Sequence, residues 1–511
     1  MKRNLLFLIA LFVYVLSFGQ GELDAYRYSS NDLSGTARGQ AMGGAFGALG
    51  GDVTGVAINP AGLGIYRSSE VVANMSLTSP LTGGNTVQES NYNFSFDNLS
   101  YISYYPLIKS GFLSLNFGFN YSRIKSFNQT YSASTMEMRS SLTDYMALLT
   151  NGIYQSSFDN NPYNKSSVPW LSVLAWDGYL IDPKNGYNDE YVSILNENER
   201  VSPSLKVNEK GRVESYDFTI GSNIENKFYL GTTISITDLS YIMSSDYEEK
   251  FSDVSGSGFV LGNYLETKGS GLQVKLGVIF KPVDVLRIGL AYHSPVWYTM
   301  TDYFNAYIIP KGIYDDNGNL AGITETPNDA YVNYYLRTPG SWTASIAAVL
   351  SAKAIVSLDY ENKDYSSMNL KDKDKYDWKG VNKIMNEDYK NTSTIRSGFE
   401  YRFTPQISGR VGYAWAQNPY KKSITATAKV VETVGTIPHY VLSNCTSYVT
   451  GGVGFRFTPQ FYMDFALVLR MQDDDLYYFQ PVKIDGVEAD SFQGTSTNKT
   501  LKGLITLGYK F

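Results

Sequence analysis

Apolar and polar residues alternate with a period of two along several stretches of the chain. From Phe461 to Met471 every second residue is apolar, and the residues between them are mixed. The same period recurs from Ile395 to Phe403 and from Leu501 to Phe511. Neighbouring side chains of a strand point to opposite faces of a sheet, so these stretches are predicted strands with one apolar face.

The second face of these strands combines glycine with charges of both signs. A soluble β-sandwich has a polar outer face and an apolar inner face, whereas a transmembrane barrel has an apolar outer face and a wet or plugged interior. The pattern therefore predicts an all-β fold, a membrane-spanning antiparallel β-barrel, with a secreted soluble β protein as the alternative. The residues that indicate this are Lys275, Gly277, Arg287, Gly289, Asp359, Glu361, Arg410, Gly412, Asp464 and Arg470.

Short and long connections alternate between the predicted strands. Three tight turns share a phenylalanine followed by a proline, at 280–282, 403–406 and 457–460. Proline cannot donate to a strand ladder, and phenylalanine suits the interfacial aromatic girdle of a barrel. Counting from Glu70 to Phe511 predicts fourteen strands, an even number that closes the sheet. Other tight turns are predicted near 105–111, 222–227 and 350–353, and longer loops near 80–90, 124–211, 250–262, 306–330, 367–390, 418–445 and 479–499.

The amino terminus has the features of an export signal. Lys2 and Arg3 precede an apolar run, and Ser17 and Gly19 provide small residues at a cleavage site. The sequence predicts a signal peptide over 1–19. Cys445 is the single cysteine, so no disulfide framework is available. The formal net charge of -6 gives no reason to expect nucleic acid as a partner.

The largest predicted loop, 124–211, contains a helical pattern. Apolar residues recur at helical spacing within 140–154. A helix there either places an apolar stripe over the barrel mouth or packs the loop against its neighbours. Both interpretations remain open at this point.

Residues 20–69 precede the first strand and are rich in glycine and alanine. They either trail into the periplasm or fold back into the lumen, and their small residues favour a hatch inside the barrel. Pro60 and Gly62 are expected to end its helix and turn the chain into the wall. A nucleotide-binding glycine loop is disfavoured, because no strand precedes the segment and no Gly-Lys-Ser/Thr follows it.

The run from Arg38 to Ala45, followed by Asp52 and by Asn59-Pro60-Ala61, resembles the amino-terminal hatch of the FadL/TodX-type outer-membrane transporters for long-chain fatty acids and aromatic hydrocarbons. The resemblance implies a lumen hatch, capture of an apolar ligand near the outer loops, and lateral release through the wall. It extends to the fourteen predicted strands and to Phe511. The terminal phenylalanine resembles the signal read by the barrel assembly machinery. The family resemblance implies that the hatch residues are Gly43, Gly44, Asp52, Asn59 and Pro60.

The position of each tight turn predicts which lumen-facing charges lie opposite one another on the two strands that it joins. Glu400 falls opposite Arg410 and is predicted to neutralise it, and Asp464 falls opposite Gly454. Arg396 falls near Ala414, which makes it the freer cation. Arg396 is therefore either a partner for a ligand carboxylate or only a solvated lumen charge.

Two further residues are candidate ligand contacts, Arg470 and His293. His293 lies on the polar face near Gln273, where a structural role beside the glutamine is the simpler interpretation and a catalytic or haem-ligand role the alternative. His439 is the only other histidine and lies in a loop. The sequence predicts no catalytic residue, no metal site and no cofactor.

These features together predict an outer-membrane protein that takes up hydrophobic small molecules, and not an enzyme. Its expected partners are the hydrophobic ligand, outer-membrane lipid and the barrel assembly machinery. A binding or secretion-associated barrel and a polar-solute porin are the alternatives, and the predicted hatch disfavours an open porin. The predicted domains are the signal peptide, a hatch over 20–69 and a barrel over 70–511.

Overall fold

The computed structural model describes residues 21–511 except 82–86, 89–91, 108–110, 197, 254–255, 329, 352, 422–423, 425–430, 432, 485–486 and 490. The predicted signal peptide, 1–19, lies outside the described residues. No described helix is long and apolar enough to cross a membrane.

Fourteen antiparallel strands form a closed barrel, as the sequence predicts. Each strand pairs with the next along the chain, and the first pairs with the last from Glu70 opposite Lys510 to Leu81 opposite Lys499. The strands are β1 (Glu70–Leu81), β2 (Asn93–Pro106), β3 (Phe112–Ser126), β4 (Val201–Ile224), β5 (Phe228–Phe251), β6 (Gly258–Val283), β7 (Leu286–His293 and Trp297–Lys311), β8 (Tyr331–Arg337 and Ser341–Val349), β9 (Ala354–Asp364), β10 (Asn391–Arg402), β11 (Ile407–Ala416), β12 (Tyr440–Arg456), β13 (Phe461–Tyr477) and β14 (Phe492–Lys510).

Shorter elements lie before the barrel and in its loops. The helices are α1 (Glu22–Ser29), α2 (Ala37–Ala41), α3 (Val53–Ile58), α4 (Leu142–Thr150), α5 (Trp170–Asp177) and α6 (Lys379–Asp388). Short 3-10 helices occupy Pro60–Ile65, Gln155–Ser157, Pro162–Asn164 and Tyr365–Ser367. The remaining strands are Val87–Gln88, Gln129–Ser134, Ile181–Pro183, Tyr191–Ser193, Thr324–Glu325, Asn369–Asp372, Val482–Ile484 and Val487–Ala489.

The apolar faces of the strands point outward. On β13, Phe465 and Leu467 are 36% and 59% exposed, whereas Ala466 and Val468 between them are buried. Every second side chain therefore faces the surroundings, and those side chains are apolar. A soluble sandwich would bury this face, so that alternative is wrong and the apolar outer face of the barrel suits contact with lipid.

The two rims of the barrel differ. Phe403 and Phe457 are exposed at the short-turn rim, as predicted for an aromatic girdle. At the opposite rim the strands run further than the sequence predicts, because β5 continues to Phe251 and β6 begins at Gly258. The predicted loop 250–262 is therefore mostly strand.

The predicted helix of the long loop forms as α4. Ser141 and Asp144 make a capping box at its start, and Leu142 and Met146 are fully buried. The ring of Tyr145 stacks on Phe479 of another loop at 6.4 Å. The apolar stripe thus packs the loop against its neighbours, and with them forms a cap over the outer end of the barrel.

The described residues before β1 traverse the whole barrel. Tyr26 of α1 packs among the outer loops, 5.0 Å from the ring of Tyr365 and 5.6 Å from that of Tyr420. The chain then descends through the lumen, and Asn116 of the wall binds the carbonyl of Leu63 at 2.7 Å near the short-turn rim. Residues 21–65 therefore lie inside the barrel, as the sequence favours, and do not trail below it.

Candidate functional site

Side-chain caps fix the short helices inside the lumen. Asp52 begins α3 and accepts hydrogen bonds of 2.9 Å from the backbone of Thr54 and from the hydroxyl of Thr36. Asn59 caps the following 3-10 helix by accepting from the Ala61 amide at 3.1 Å, and Pro60 stands at its first position. Helices this short are unstable alone, so caps and barrel contacts must hold them in place.

Glycines of the wall let the lumen segment approach the strands closely. A Cβ atom at Gly412 would lie 2.1 Å from the Gly43 amide nitrogen, and one at Gly231 would lie 2.2 Å from the carbonyl carbon of Pro60. Gly43 itself has a φ of +63°, and Gly44 has a φ of +75°, which favour glycine. The glycines on the strands' polar face are therefore docking positions for the segment's backbone. Gly277, Gly289 and Gly398 also approach the segment closely, since a Cβ atom there would lie 2.0, 2.6 and 2.5 Å from it.

Polar side chains of the wall bind the segment's backbone. Asp359 accepts from the amides of Phe46 and Gly47 at 3.0 and 2.9 Å. The Asn59 side chain donates to the carbonyl of Val278 at 3.2 Å and to that of Gly47 at 2.8 Å. These bonds satisfy buried backbone groups of irregular structure at membrane depth, which would otherwise be costly.

A charge network joins the segment to three strands. Glu400 and Arg410 form the predicted pair at 2.6 Å. Arg38 of α2 reaches the same carboxylate with two hydrogen bonds of 2.8 and 3.1 Å. Arg410 also reaches Asp464 at 2.5 Å, and Asp464 lies opposite Gly454 as predicted. The alternation of charges leaves no member unpaired, which favours a structural role for the network.

A cavity of about 810 Å³ lies between this segment and the outer cap. Arg396, His293 and Arg470, the three ligand-contact candidates, all line it. The sequence does not group the other cations with them, because no local pattern reports which lumen positions share one space. Those cations include Arg27, Arg123, Lys125, Lys275, Lys363 and Lys502.

Arg396 is not the free cation that the sequence predicts. It lies near Ala414 as expected, but its guanidinium contacts Glu361 of β9 at 2.5 Å. Counting residues from the Pro405 turn gives only the register of β10 with β11. The carboxylate of Glu361 belongs to β9, which lies on the other side of β10. Arg396 is therefore largely neutralised within the wall.

Arg470 is better suited to receive a ligand anion. Its guanidinium donates to the amide oxygen of Gln472, and the carboxylates of Asp32 and Asp474 act on it electrostatically without forming an ion pair within 4 Å. Its Nε is buried and has no hydrogen-bond partner among the described residues. Tyr448 lies directly opposite on β12 and also lines the cavity.

The predicted neighbour of His293 is wrong. Lys275, and not Gln273, stands opposite it, because the strands turn at Asp284 and Val285 with an irregularity after Phe280. The Nε2 atom of His293 lies 2.9 Å from the carbonyl of Ile58 at the end of α3. His293 therefore contacts the lumen segment as well as the cavity.

His439 is a second cavity histidine, which the sequence leaves unassigned. Its side chain is 7% exposed, and its Nδ1 has no hydrogen-bond partner within the described part of the chain. Burial, with a smaller effect of Arg27, lowers the pKa of His439 to about 3. The imidazole is therefore neutral at ordinary pH and can offer the cavity one polar atom.

Metal-binding geometry is absent from the described ranges, where no group of three or more histidine, cysteine, aspartate or glutamate side chains could hold an ion. The cavity is lined by cations, hydroxyls and amides, and also by carboxylates such as those of Asp32, Glu361 and Asp474. Such groups suit the polar end of an amphipathic molecule.

The wall has an irregularity beside the cavity, between β1 and β2. The pairing passes from Asn74 opposite Asn98 to Met75 opposite Phe96, so Asp97 has no opposite residue. Asp97 points inward, where it accepts from the Ser76 hydroxyl at 2.6 Å and contacts Lys502 at 2.8 Å. A bulge of this kind weakens the ladder locally.

An apolar groove lies on the lipid side of the same place. Leu77, Phe94 and Gly503 line it from three adjacent strands. Ser76 lines both this groove and the internal cavity. The cavity and the groove therefore lie on opposite sides of the wall at Ser76, next to the bulge.

The outer cap is anchored by a buried carboxylate, Glu249. It accepts from the Leu142 amide at 3.1 Å and from the hydroxyls of Ser141 and Tyr247, so it holds the first turn of α4. Ile236 is the last strongly exposed apolar residue of β5, and Glu249 lies thirteen residues further along the strand, well outside the membrane. Burial raises the pKa of Glu249 to about 7, despite the opposing effect of these hydrogen bonds.

We expect the cap to loosen as pH rises. The pKa of folded Glu249 exceeds the ordinary 4.5, so its stabilising contribution is complete below pH 4.5 and is lost as pH passes about 7. Amide exchange of α4, corrected for intrinsic rates, should be faster at pH 8 than at pH 5.5. Glu249→Gln should remove this difference, and Glu248→Gln on the outward face should keep it. Equal pH dependence in both variants would contradict the assignment.

Comparison with known proteins agrees with this architecture. The family model described as outer membrane protein transport protein (OMPP1/FadL/TodX) matches residues 261–511. A FadL homologue of Pseudomonas aeruginosa superposes with a TM-score of 0.55 at 13% identity, over 94% of this chain and 99% of that one. The toluene transporter TbuX of Ralstonia pickettii gives 0.50 at 15% identity, over 94% and 98%. At these identities the superpositions establish the fold.

No curated protein sequence matches the chain significantly. The family model and the fourteen-stranded plugged barrel nevertheless agree. The chain is similar to the FadL/TodX family of outer-membrane transport proteins, whose family model matches its residues 261–511.

Proposed function

We propose that the protein takes up hydrophobic small molecules across the outer membrane, by capture in the lumen and lateral release into the bilayer. The observation that carries the proposal is the lumen cavity beside the wall bulge. Long-chain fatty acids fit it better than aromatic hydrocarbons, because Arg470 and its neighbouring cations provide a site for a carboxylate. A polar-solute porin would need an open lumen, which residues 21–65 fill.

The domain organisation belongs to the same proposal. Removal of 1–19 leaves a mature chain whose residues 20–69 act as the hatch and whose residues 70–511 form the barrel. The proposed hatch residues are Gly43, Gly44, Asp52, Asn59 and Pro60. This role agrees with their close contacts to the wall and with their positions at helix caps. Phe511 is exposed at the short-turn rim, where it can be read by the barrel assembly machinery. Outer-membrane lipid surrounds the apolar face.

Arg470 should distinguish acids from neutral ligands. Arg470→Gln is expected to slow uptake of a labelled fatty acid roughly tenfold, since it removes a charge-assisted hydrogen bond. Uptake of the corresponding alcohol should not change. The measurement is the rate of accumulation in cells that carry each variant as their only such transporter.

A matched control removes a cation that is already neutralised. Arg396→Gln combined with Glu361→Gln deletes both partners of the wall pair, so acid uptake should remain near the parent rate. If Arg470→Gln takes up acid and alcohol like the parent, the carboxylate role is wrong. If the parent takes up neither molecule, the transport proposal itself fails.

The bulge between β1 and β2 is the proposed lateral exit. Ser76 and Ser95 stand directly opposite each other beside it, and both are buried on the lumen side. A ligand leaving the cavity here would enter the groove formed with Leu77 and Phe94. The Asp97–Lys502 contact spans the same place, so it would have to open during release.

A disulfide across the bulge should stop uptake. In a Cys445→Ser background, Ser76→Cys with Ser95→Cys is expected to block ligand release when oxidised and to recover with dithiothreitol. The control is Thr219→Cys with Thr233→Cys, a lumen-facing pair on the uninterrupted β4–β5 ladder. Full uptake by the oxidised first pair would exclude this exit.

A further inference from the structure

Three tyrosines form an exposed aromatic surface on the outer part of the barrel. Tyr264 of β6, Tyr303 of β7 and Tyr331 of β8 point outward on adjacent strands. Their rings are linked, with centroids 6.0 Å apart for the first two and 5.0 Å apart for the last two. Tyr331 is 63% exposed. These three residues are called the tyrosine platform.

The tyrosine platform lies directly above the lipid-facing surface. Leu272 and Trp297 pair with each other and are 47% and 50% exposed, at the upper end of the apolar belt on β6 and β7. Tyr303 follows Trp297 on the same outward face. At about 3.3 Å per residue it lies roughly 20 Å further along the strand. The platform thus lies outside the lipid-facing belt, on the same outward face of the barrel.

Polar groups border the rings. The Asn305 amide donates to the Tyr303 hydroxyl at 3.1 Å, and the Tyr264 hydroxyl donates to Glu266 at 3.2 Å. Thr301 donates to Asn333 at 2.7 Å beside them. Such a surface offers flat apolar faces with amides, hydroxyls and a carboxylate at their edges.

Two lysines of this face are paired with carboxylates, and Arg337 of β8, which stands opposite Trp297, donates to the carbonyl of Ser367 at 3.1 Å. Lys268 contacts Glu266 at 2.6 Å, and Lys311 contacts Glu248 at 2.7 Å. A phosphate or another strongly anionic group would find no unpaired cation in these pairs. A sugar ring, with an apolar C–H face and polar edges, matches both the rings and their borders.

We propose that the tyrosine platform binds the oligosaccharide of the glycolipid that surrounds the barrel in the outer leaflet. The glycolipid is held in the same membrane, and its sugars extend from the lipid interface to the height of the platform. Binding there would fix the glycolipid against β6, β7 and β8. This role is independent of transport through the lumen.

The test uses the purified full-length protein and core oligosaccharide released from a rough-type lipopolysaccharide. Saturation-transfer NMR should detect contact of the sugar protons with the parent protein, and titration should give its affinity. Tyr303→Ala with Tyr331→Ala should weaken binding about tenfold. Tyr303→Phe keeps the ring and should stay near the parent. Tyr154→Ala, an exposed tyrosine of the outer loops, serves as the control.

Each outcome decides the proposal. Loss of binding in the double variant alone, with native heat-resistant mobility on gels, supports it. An absence of binding to the parent protein overturns it, and so does equal affinity of the parent and the double variant. An equal loss in Tyr154→Ala overturns it as well, because that residue lies away from the platform.

Discussion

Deletion of residues 22–65 is expected to turn the closed protein into an open channel. The deleted residues occupy the lumen from the outer cap to the short-turn rim, and the deletion leaves no loop to close, because β1 follows directly. The wall stays closed since β1 pairs β14 along its whole length. Single-channel recording in planar bilayers should detect discrete current steps that the parent lacks.

A point substitution provides a milder version of the same test. Gly412→Val would place side-chain atoms against the Gly43 amide, where even a Cβ atom would be 2.1 Å away. The segment must then shift, so intermittent currents are expected. Gly451→Val is the matched control, because a Cβ there would meet only the Arg410 carbonyl oxygen at 3.7 Å. A deletion variant as silent as the parent would exclude the hatch role.

The barrel could be predicted because its strongest signals are local. The period of two from Phe461 to Met471 needs no knowledge of other strands, and a turn such as Pro405 fixes the register of the two strands it joins. Glu400 opposite Arg410 follows from that turn alone. Strand ends were less predictable, since the extension of β5 to Phe251 depends on pairing with neighbours above the membrane.

Contacts across several strands could not be predicted from the sequence. The pair of Arg396 with Glu361 requires the register on the far side of β10, and that side has a long loop with no fixed turn. The bonds of Arg38 to Glu400 and of His293 to Ile58 require the position of the lumen segment. The wall glycines illustrate the same limit. Their presence on the polar face is visible in the sequence, whereas their partner at Gly412 or Gly231 is visible only in the folded chain.

The orientation of the strands has an energetic consequence. Leu467 is 59% exposed on the outer face of β13, six positions from the short-turn rim at Phe461. At about 3.3 Å per residue and the usual tilt of barrel strands, this places it near the bilayer midplane. Leu467→Arg should therefore lower the free energy of unfolding by about 2 to 4 kcal/mol, because a guanidinium there must leave water.

A lumen-facing arginine should cost much less, provided that it has room. Thr500 lies on the adjacent β14 and lines the cavity, so the side chain of Thr500→Arg can remain hydrated. Ala466 also faces inward, but it packs with Ala37 and Ala41 of the lumen segment, and an arginine there would displace α2. Urea-dependent refolding into lipid vesicles should therefore rank Leu467→Arg well below Thr500→Arg in stability. Equal stabilities of these two variants would mean that the outer face of β13 does not contact lipid.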